Sequence, residues 1–144
     1  MTARVQTQAF DLAAELAGFG SGAGAVVTFT GIVRDDGGQL QALEIEHYTG
    51  MTERALSDYG AEAARRFDLT DWRILHRHGR LAVGEPIMMV ATAARHRRAA
   101  FEGADYLMDW LKSRAPFWKR EIRSDGRTEW VAAKDSDEDA LARW

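Results

Sequence analysis

GAVVTFTGIVRDDGGQLQALEIEHY, residues 24–48, decides the fold. Gly24 to Arg34 is rich in β-branched residues and reads as a strand. Arg34 to Gly38 (RDDGG) supplies turn chemistry. Leu40 to Tyr48 then alternates, with Leu43, Ile45 and His47 on one face and Glu44, Glu46 and Tyr48 on the other. Directly after it, Met51 to Phe67 is predicted helical, with Met51, Ala55, Tyr59, Ala63 and Phe67 at fourfold spacing as its inward stripe. Gly60 weakens that helix by about 1 kcal/mol relative to alanine. Towards the N-terminus, residues 7–19 read as a short helix around Phe10, Leu12, Leu16 and Phe19, joined to the strand by the connector GFGSGAG at 18–24.

Towards the C-terminus, two strands are predicted near 72–78 and 86–93, with Pro86 at a strand start, where it is tolerated. The longest helix spans about 96–114, turns Ala100, Ala104, Leu107, Met108 and Leu111 inward, and is ended by Pro116. Phe117 to Ile122 is a strand, Asp125-Gly126 a hairpin turn, and Thr128 to Ala132 the return. Ser136 with Asp139 resembles a cap before a short terminal helix. Strands and helices that mix without regular alternation predict an α+β fold, a single domain over 1–144 with two main helices.

The chain has 144 residues, 46% of them hydrophobic and 28% charged, and a formal charge of −3. Size scaling gives about 7,400 Å² of folded against about 23,000 Å² of unfolded surface, enough burial for a real core. The apolar content excludes a disordered chain. The longest apolar stretch, Ile87 to Ala94, is far too short to span a bilayer, and Asp11 and Glu15 interrupt any secretory signal. The absence of cysteine excludes disulfides, thiolate metal sites and a cysteine nucleophile, and fits a cytoplasmic protein. Sixteen cations are arginine and three are lysine: Lys112, Lys119 and Lys134. Lysine gives up its proton when desolvated and arginine does not, so lysine marks places where proton traffic matters. From Arg95 to Arg123 eight cations face four acids, a local balance of +4 that leaves −7 on the rest. A basic patch on an acidic protein suits a small anionic ligand or an acidic tail better than a nucleic-acid track.

Four constellations bear on chemistry. Gly18, Gly20 and Ala23 fit G-x-G-x-x-G/A, but the cluster follows a helix and opens a strand, the reverse of a dinucleotide loop, so it is not a nucleotide site. His76 and His78 share one strand face without an accompanying acid or thiolate, which favours a structural role over a metal site, and His47 reads as a hydrogen-bonded core or interface residue. Arg95-His96-Arg97-Arg98 places cations at a helix start, where they are unfavourable unless an anion sits among them; a solvated charged turn is the alternative. KSRAPFWKRE at 112–121 is the most suggestive segment. Lys112 sits in the last helical turn, where a capping role is possible, and Pro116 reverses the chain into a strand with Phe117, Lys119 and Glu121 on one face. If that strand packs back along the helix, the two lysines approach and depress one another's pKa, which makes an acid/base or a nucleophile.

Together, GAVVTFTGIVR at 24–34, LEIEHYTGMTERAL at 43–56, His96-Arg97 with Ala100-Phe101-Glu102, and LKSRAPFWKRE at 111–121 resemble the large, catalytic subunit of molybdopterin synthase, from about residue 24 to Trp144. The resemblance implies an α+β fold with an α/β-hammerhead portion and a sulfurtransferase of molybdenum-cofactor synthesis. Such an enzyme converts cyclic pyranopterin monophosphate to the dithiolene molybdopterin. It further implies a small ubiquitin-like partner ending in a Gly-Gly thiocarboxylate, and a homodimer within a heterotetramer. By the same resemblance Lys112 and Lys119 are catalytic, and Arg34, His96, Arg97, Lys112, Lys119, Arg120 and Glu121 bind substrate, the phosphate being gripped across the dimer interface. No cofactor or metal is implied, and neither nucleic acid nor membrane is an expected partner. A chain without cysteine needs an external sulfur donor, which fits. The turn after Arg34 is short for the family, Lys134 stands where arginine is expected, and Arg95 and Arg98 are not family residues. Two rival functions are disfavoured. An RNA-binding module using the arginines of 95–98 and 114–127 with Trp118 is disfavoured by the net charge of −3 and the lack of spread basic surface. A partner-binding domain without activity is disfavoured by the retention of Lys112, Lys119, Arg34, His96 and Arg97 together.

Overall fold

The computed structural model describes residues 1–35, 37–132 and 134–144. Eight strands and four helices follow in the order β1 (Thr2–Gln6), α1 (Leu12–Leu16), β2 (Ala25–Ile32), β3 (Leu40–His47), α2 (Met51–Phe67), β4 (Leu69–Arg77), β5 (Gly79–Ala82), β6 (Pro86–Ala94), α3 (Arg97–Ser113), β7 (Phe117–Arg123), β8 (Thr128–Trp130) and α4 (Asp135–Leu141). The strands form two four-stranded sheets, β1-β4-β6-β2 and β5-β3-β7-β8. All pairings are antiparallel except β1 with β4. This is the α+β class the sequence predicts, and among the described residues no helix is long and apolar enough to cross a membrane.

β2 and β3 do not form a hairpin. β2 pairs with β6 and β3 with β5 and β7, so the chain changes sheets between them. A bulge between Gly31 and Ile32 ends the β2–β6 ladder just before Arg34. Asp35 Oδ1 accepts from the amides of Gln39 (3.2 Å) and Leu40 (3.1 Å), which restarts the chain into β3. Asp36, part of the predicted turn, lies outside the described residues.

Sheet one is covered on both sides. Leu56 and Ala63 of α2 and Ala100, Tyr106 and Leu107 of α3 pack on Trp72, Ile74, Met88 and Val90. Leu75, Met89 and Ala91 face the other way, beneath Phe10, Leu12, Leu16 and Phe19. Burial on both faces explains why 86–94 is nearly continuous in apolar residues instead of alternating. Sheet two has a smaller core of Val33, Ile45 and Leu81, and Phe117 and Ile87 belong to the edges of both clusters.

Several expectations need correction. The inward face of α2 is Thr52, Leu56, Gly60 and Ala63, while Met51 is exposed. Four-residue steps overshoot a 3.6-residue turn by about 40° each, so the fourfold stripe wanders around the helix. The predicted helix at 7–19 shrinks to Leu12–Leu16, capped by Asp11, whose side chain accepts from Ala14 N at 2.7 Å. The strand β1 before it carries little alternation and gains its place from parallel pairing with β4. Ser136 lies inside α4, whose N-cap is Lys134.

Gly60 is more than a helix weakener. A Cβ there would sit 2.5 Å from the Trp72 indole, so α2 approaches β4 only because the side chain is missing. Gly60→Ala therefore destabilises the protein by about 1–3 kcal/mol despite its better helix propensity. Urea unfolding checks this; a neutral or stabilising result contradicts the close packing.

Candidate active site

The site begins with the end of α3. Arg114 and Ala115 amides both donate to Trp110 O, and Tyr59 Oη donates to Arg114 O at 3.0 Å, which pins the helix terminus. Phe117 N donates to Ala115 O across Pro116, and the chain turns back as β7. Pairing of β7 with β3 sets Lys119 opposite Ile45. Lys119 thereby returns to the side of Lys112, as the sequence reading requires, and both lysines border the same two clefts together with His76 and Leu111.

The first cleft, about 380 Å³, opens towards β2 and the α3 flank and includes Phe29, Met108 and Arg34. The second, about 470 Å³, is walled by Trp118, Trp130, Lys134 and Asp137. Its outer wall is held by the docking of α4 on α3: Arg143 pairs with Asp105 and Asp109, each at 2.8 Å, and Trp144 Nε1 donates to Asp109 Oδ2 at 2.6 Å. The lysine pair thus stands where two separate cavities meet.

Electrostatics at the junction follow from burial. Lys119 is pushed down to about 8, first by desolvation, then by the Lys112 ammonium, with Lys134 adding to the effect and Asp137 opposing it. His76 is buried and held neutral, down to about 3, chiefly by desolvation and also by the charge of Lys119. Its ring stacks on Phe117, 3.8 Å between centroids and 19° between planes, and Nδ1 lies 2.7 Å from Arg77 O. His78 turns instead to His47, 4.3 Å between ring centroids, and His47 Nδ1 lies 3.3 Å from Thr52 Oγ1. Among the described residues no three His, Asp or Glu side chains are grouped to hold a metal ion.

Other predicted site residues are distributed unevenly. Arg34 borders the first cleft and also an adjoining groove of about 340 Å³ that contains Glu121 and Arg123. Glu121 shares the Lys119 face of β7 and pairs with Arg123 at 3.2 Å. Arg120 points to the opposite face, paired with Glu44 at 2.9 Å and lying over Trp130 at 5.4 Å, and borders neither main cleft. His96 and Arg97 lie at the exposed start of α3. Fifteen helical residues separate Arg97 from Lys112, roughly 22 Å at 1.5 Å per residue, so one chain does not bring them together. Sequence reasoning missed His76 as a site residue, along with Met108, Trp130 and Asp137. The two-residue spacing of His76 and His78 drew attention to a metal, whereas the informative signal was a histidine directly after the buried pair Ile74-Leu75.

The family model described as "MoaE protein" matches residues 5–114. A molybdopterin synthase catalytic subunit of Cereibacter sphaeroides is 57% identical over all of this chain and all of its own length. Among solved structures, the MoaE protein of Burkholderia ambifaria has 49% identity and a TM-score of 0.84 over 99% of this chain and 97% of that one. A molybdopterin synthase chain from Staphylococcus aureus has 30% identity and a TM-score of 0.82 over 89% and 95%.

Burial of Lys119 has a measurable consequence for stability. Its folded value of about 8 lies below the ordinary 10.5. Below pH 8 both folded and unfolded chains hold the proton, and the folded state bears the whole cost, at most about 3 kcal/mol. Between pH 8 and 10.5 the unfolded chain binds more protons, so this contribution raises stability as pH rises. Lys119→Met is accordingly more stable than wild type at pH 7, and the gap narrows by pH 10. Urea unfolding across that range tests it; a constant gap contradicts the tuned amine.

Proposed function

The chain belongs to the MoaE protein family, and on that premise we propose that it acts as the catalytic subunit of a molybdopterin synthase, moving sulfur from the C-terminal thiocarboxylate of a small ubiquitin-like partner to cyclic pyranopterin monophosphate. The observation that carries this reading is the meeting of two clefts at Lys112 and Lys119. A two-substrate transfer needs two approaches to one reacting centre. The second cleft, with three lysines and the aromatic walls of Trp118 and Trp130, suits an extended anionic tail. The first, with Arg34 at its edge, suits the phosphorylated pterin.

In this reading the thiocarboxylate sulfur attacks a pterin side-chain carbon at the junction. A C–O bond at that carbon breaks as the C–S bond forms, and its oxygen takes a proton. Water then hydrolyses the resulting thioester, leaving sulfur on the pterin and a carboxylate on the tail. The resemblance leaves open which lysine moves the proton. Burial favours Lys119, whose amine exchanges a proton near neutral pH. Lys112 then depresses its neighbour and stabilises the anionic tail and the charge that develops during transfer. The phosphate is gripped by Arg34 of one copy and His96 and Arg97 of a second. Support for a second copy comes from β2, an edge strand whose Val26, Phe29 and Ile32 are exposed, and from exposed Phe101 on α3. Phe101 and Phe29 border a shared groove that reaches Lys112. Glu121 fixes Arg123 beside Arg34, and Arg120 braces β7 against β3 from the far side.

Two outcomes test the proposal. Lys112→Ala loses about 10²–10⁴-fold in single-turnover dithiolene formation and moves the Lys119 limb of the pH–rate profile upward, because the neighbouring charge is gone. Near-normal turnover would remove Lys112 from the mechanism. Mixing Lys112→Ala with Arg97→Ala, each inactive alone, restores roughly a quarter of wild-type activity, because half the re-formed dimers carry one intact shared site. No restoration, with subunit exchange shown by mass spectrometry, contradicts a site built from two copies.

A further inference from the structure

His76 stands at the junction, and the proposed reaction leaves it without a task. It is only 4% exposed, yet its ring borders both clefts beside Lys119. The backbone oxygen of Arg77, 2.7 Å from Nδ1, can only accept, so Nδ1 carries a proton and donates it. A second proton is excluded by burial beside Lys119, so the imidazole is neutral. Nε2 is then a bare lone pair. It makes no hydrogen bond to any of the described residues, and it is not among the polar atoms sealed in the core. The stack on Phe117 and the Arg77 bond hold the ring in one orientation, so that lone pair is aimed, not free to turn away. An acceptor that opens only onto the clefts takes its donor from what fills them, and at the meeting point of two clefts a ligand can replace water as that donor.

We propose that His76 Nε2 is a ligand-binding acceptor that takes a hydrogen bond from a neutral N–H or O–H group of the molecule at the junction. Arg34, Lys112 and Lys119 attract anionic groups, and among these cations His76 is a group that disfavours them. It selects the uncharged, donor-bearing edge of the ligand and so fixes its orientation. This rests on the sulfur-transfer reading above. An N–H donor is available on a pterin and also on the peptide amides of the partner's tail, and the two are separated by experiment.

His76→Asn keeps an amide N–H near the position of Nδ1 and removes the acceptor; His76→Gln places an amide oxygen near Nε2 and gives up the Nδ1 bond. Steady-state turnover is measured for both and for wild type, varying cyclic pyranopterin monophosphate and thiocarboxylated small subunit in turn, alongside thermal unfolding. The Asn variant raises the KM of one reactant about tenfold with Tm retained, a change of about 1.4 kcal/mol. The Gln variant keeps that KM within about threefold and loses Tm. A higher KM for the pterin places the donor on the small molecule, and a higher KM for the small subunit places it on the tail. Unchanged KM values in the Asn variant, or activity that simply follows Tm with Gln the worse, overturn the proposal. Wild-type protein without turnover overturns the sulfur-transfer reading, and this inference with it, before any variant is compared. Nitrogen-15 NMR of wild-type His76 tests the same point without substitution: Nε2 is unprotonated in the free protein and its signal moves when a reactant binds. A signal unmoved by both reactants contradicts it.

Discussion

Two lysines held side by side at the edge of a core are the constraint on which the rest of the structure depends. An ammonium taken from water beside another ammonium is unfavourable twice over, by desolvation and by repulsion. Nothing in the propensity of α3 or β7 requires it. The fold imposes it through Pro116, the pinned carbonyl of Arg114 and the register of β7 on β3, which send Lys119 back past the helix end from which Lys112 projects. The surrounding packing absorbs the cost: Phe117 lies between His76 and the small core of sheet two, and Ile45 is fully buried opposite Lys119.

The two sheets give this cation pair its two approaches. Because the chain changes sheets after the Gly31/Ile32 bulge, β2 and β3 diverge instead of closing a hairpin. The first cleft opens on the β2 side and the second on the β7–β8 side, with α3 contributing Leu111 and Lys112 to both. The C-terminal helix completes the second wall, and the Asp109 carboxylate, bonded by Arg143 and Trp144, fastens it. A junction of this kind is a product of long-range topology.

Local signals in the chain carried much of the fold. The helix at Met51–Phe67, the start of β6 at Pro86, the long helix ended before Pro116 and the hairpin at Asp125-Gly126 are each written in residues close together, and each appears. Lys112 and Lys119 were legible because a proline-forced reversal brings positions seven apart together. What escaped depends on distant partners. β1 is a strand because β4 lies beside it, and the inward face of α2 is set by the Trp72 indole against Gly60. His76 looked structural since no sequence pattern shows that a buried strand ends at a cleft. His96 and Arg97 are far from the lysines in one chain, so a shared site with the lysines would require a second copy.

In chemical terms the protein is a cysteine-free acidic chain whose three lysines and Arg34 line the two clefts. Under the proposed function it would contribute a tuned amine, a fixed neutral acceptor and arginine charge, with the sulfur supplied from outside. The most direct test of this account is an NMR titration of the lysine amines, with and without the partner's C-terminal tail. The account predicts that the Lys119 amine titrates near pH 8 in the free protein and at higher pH once the anionic tail is bound. A Lys119 amine that titrates at its ordinary 10.5 and ignores the tail would contradict it.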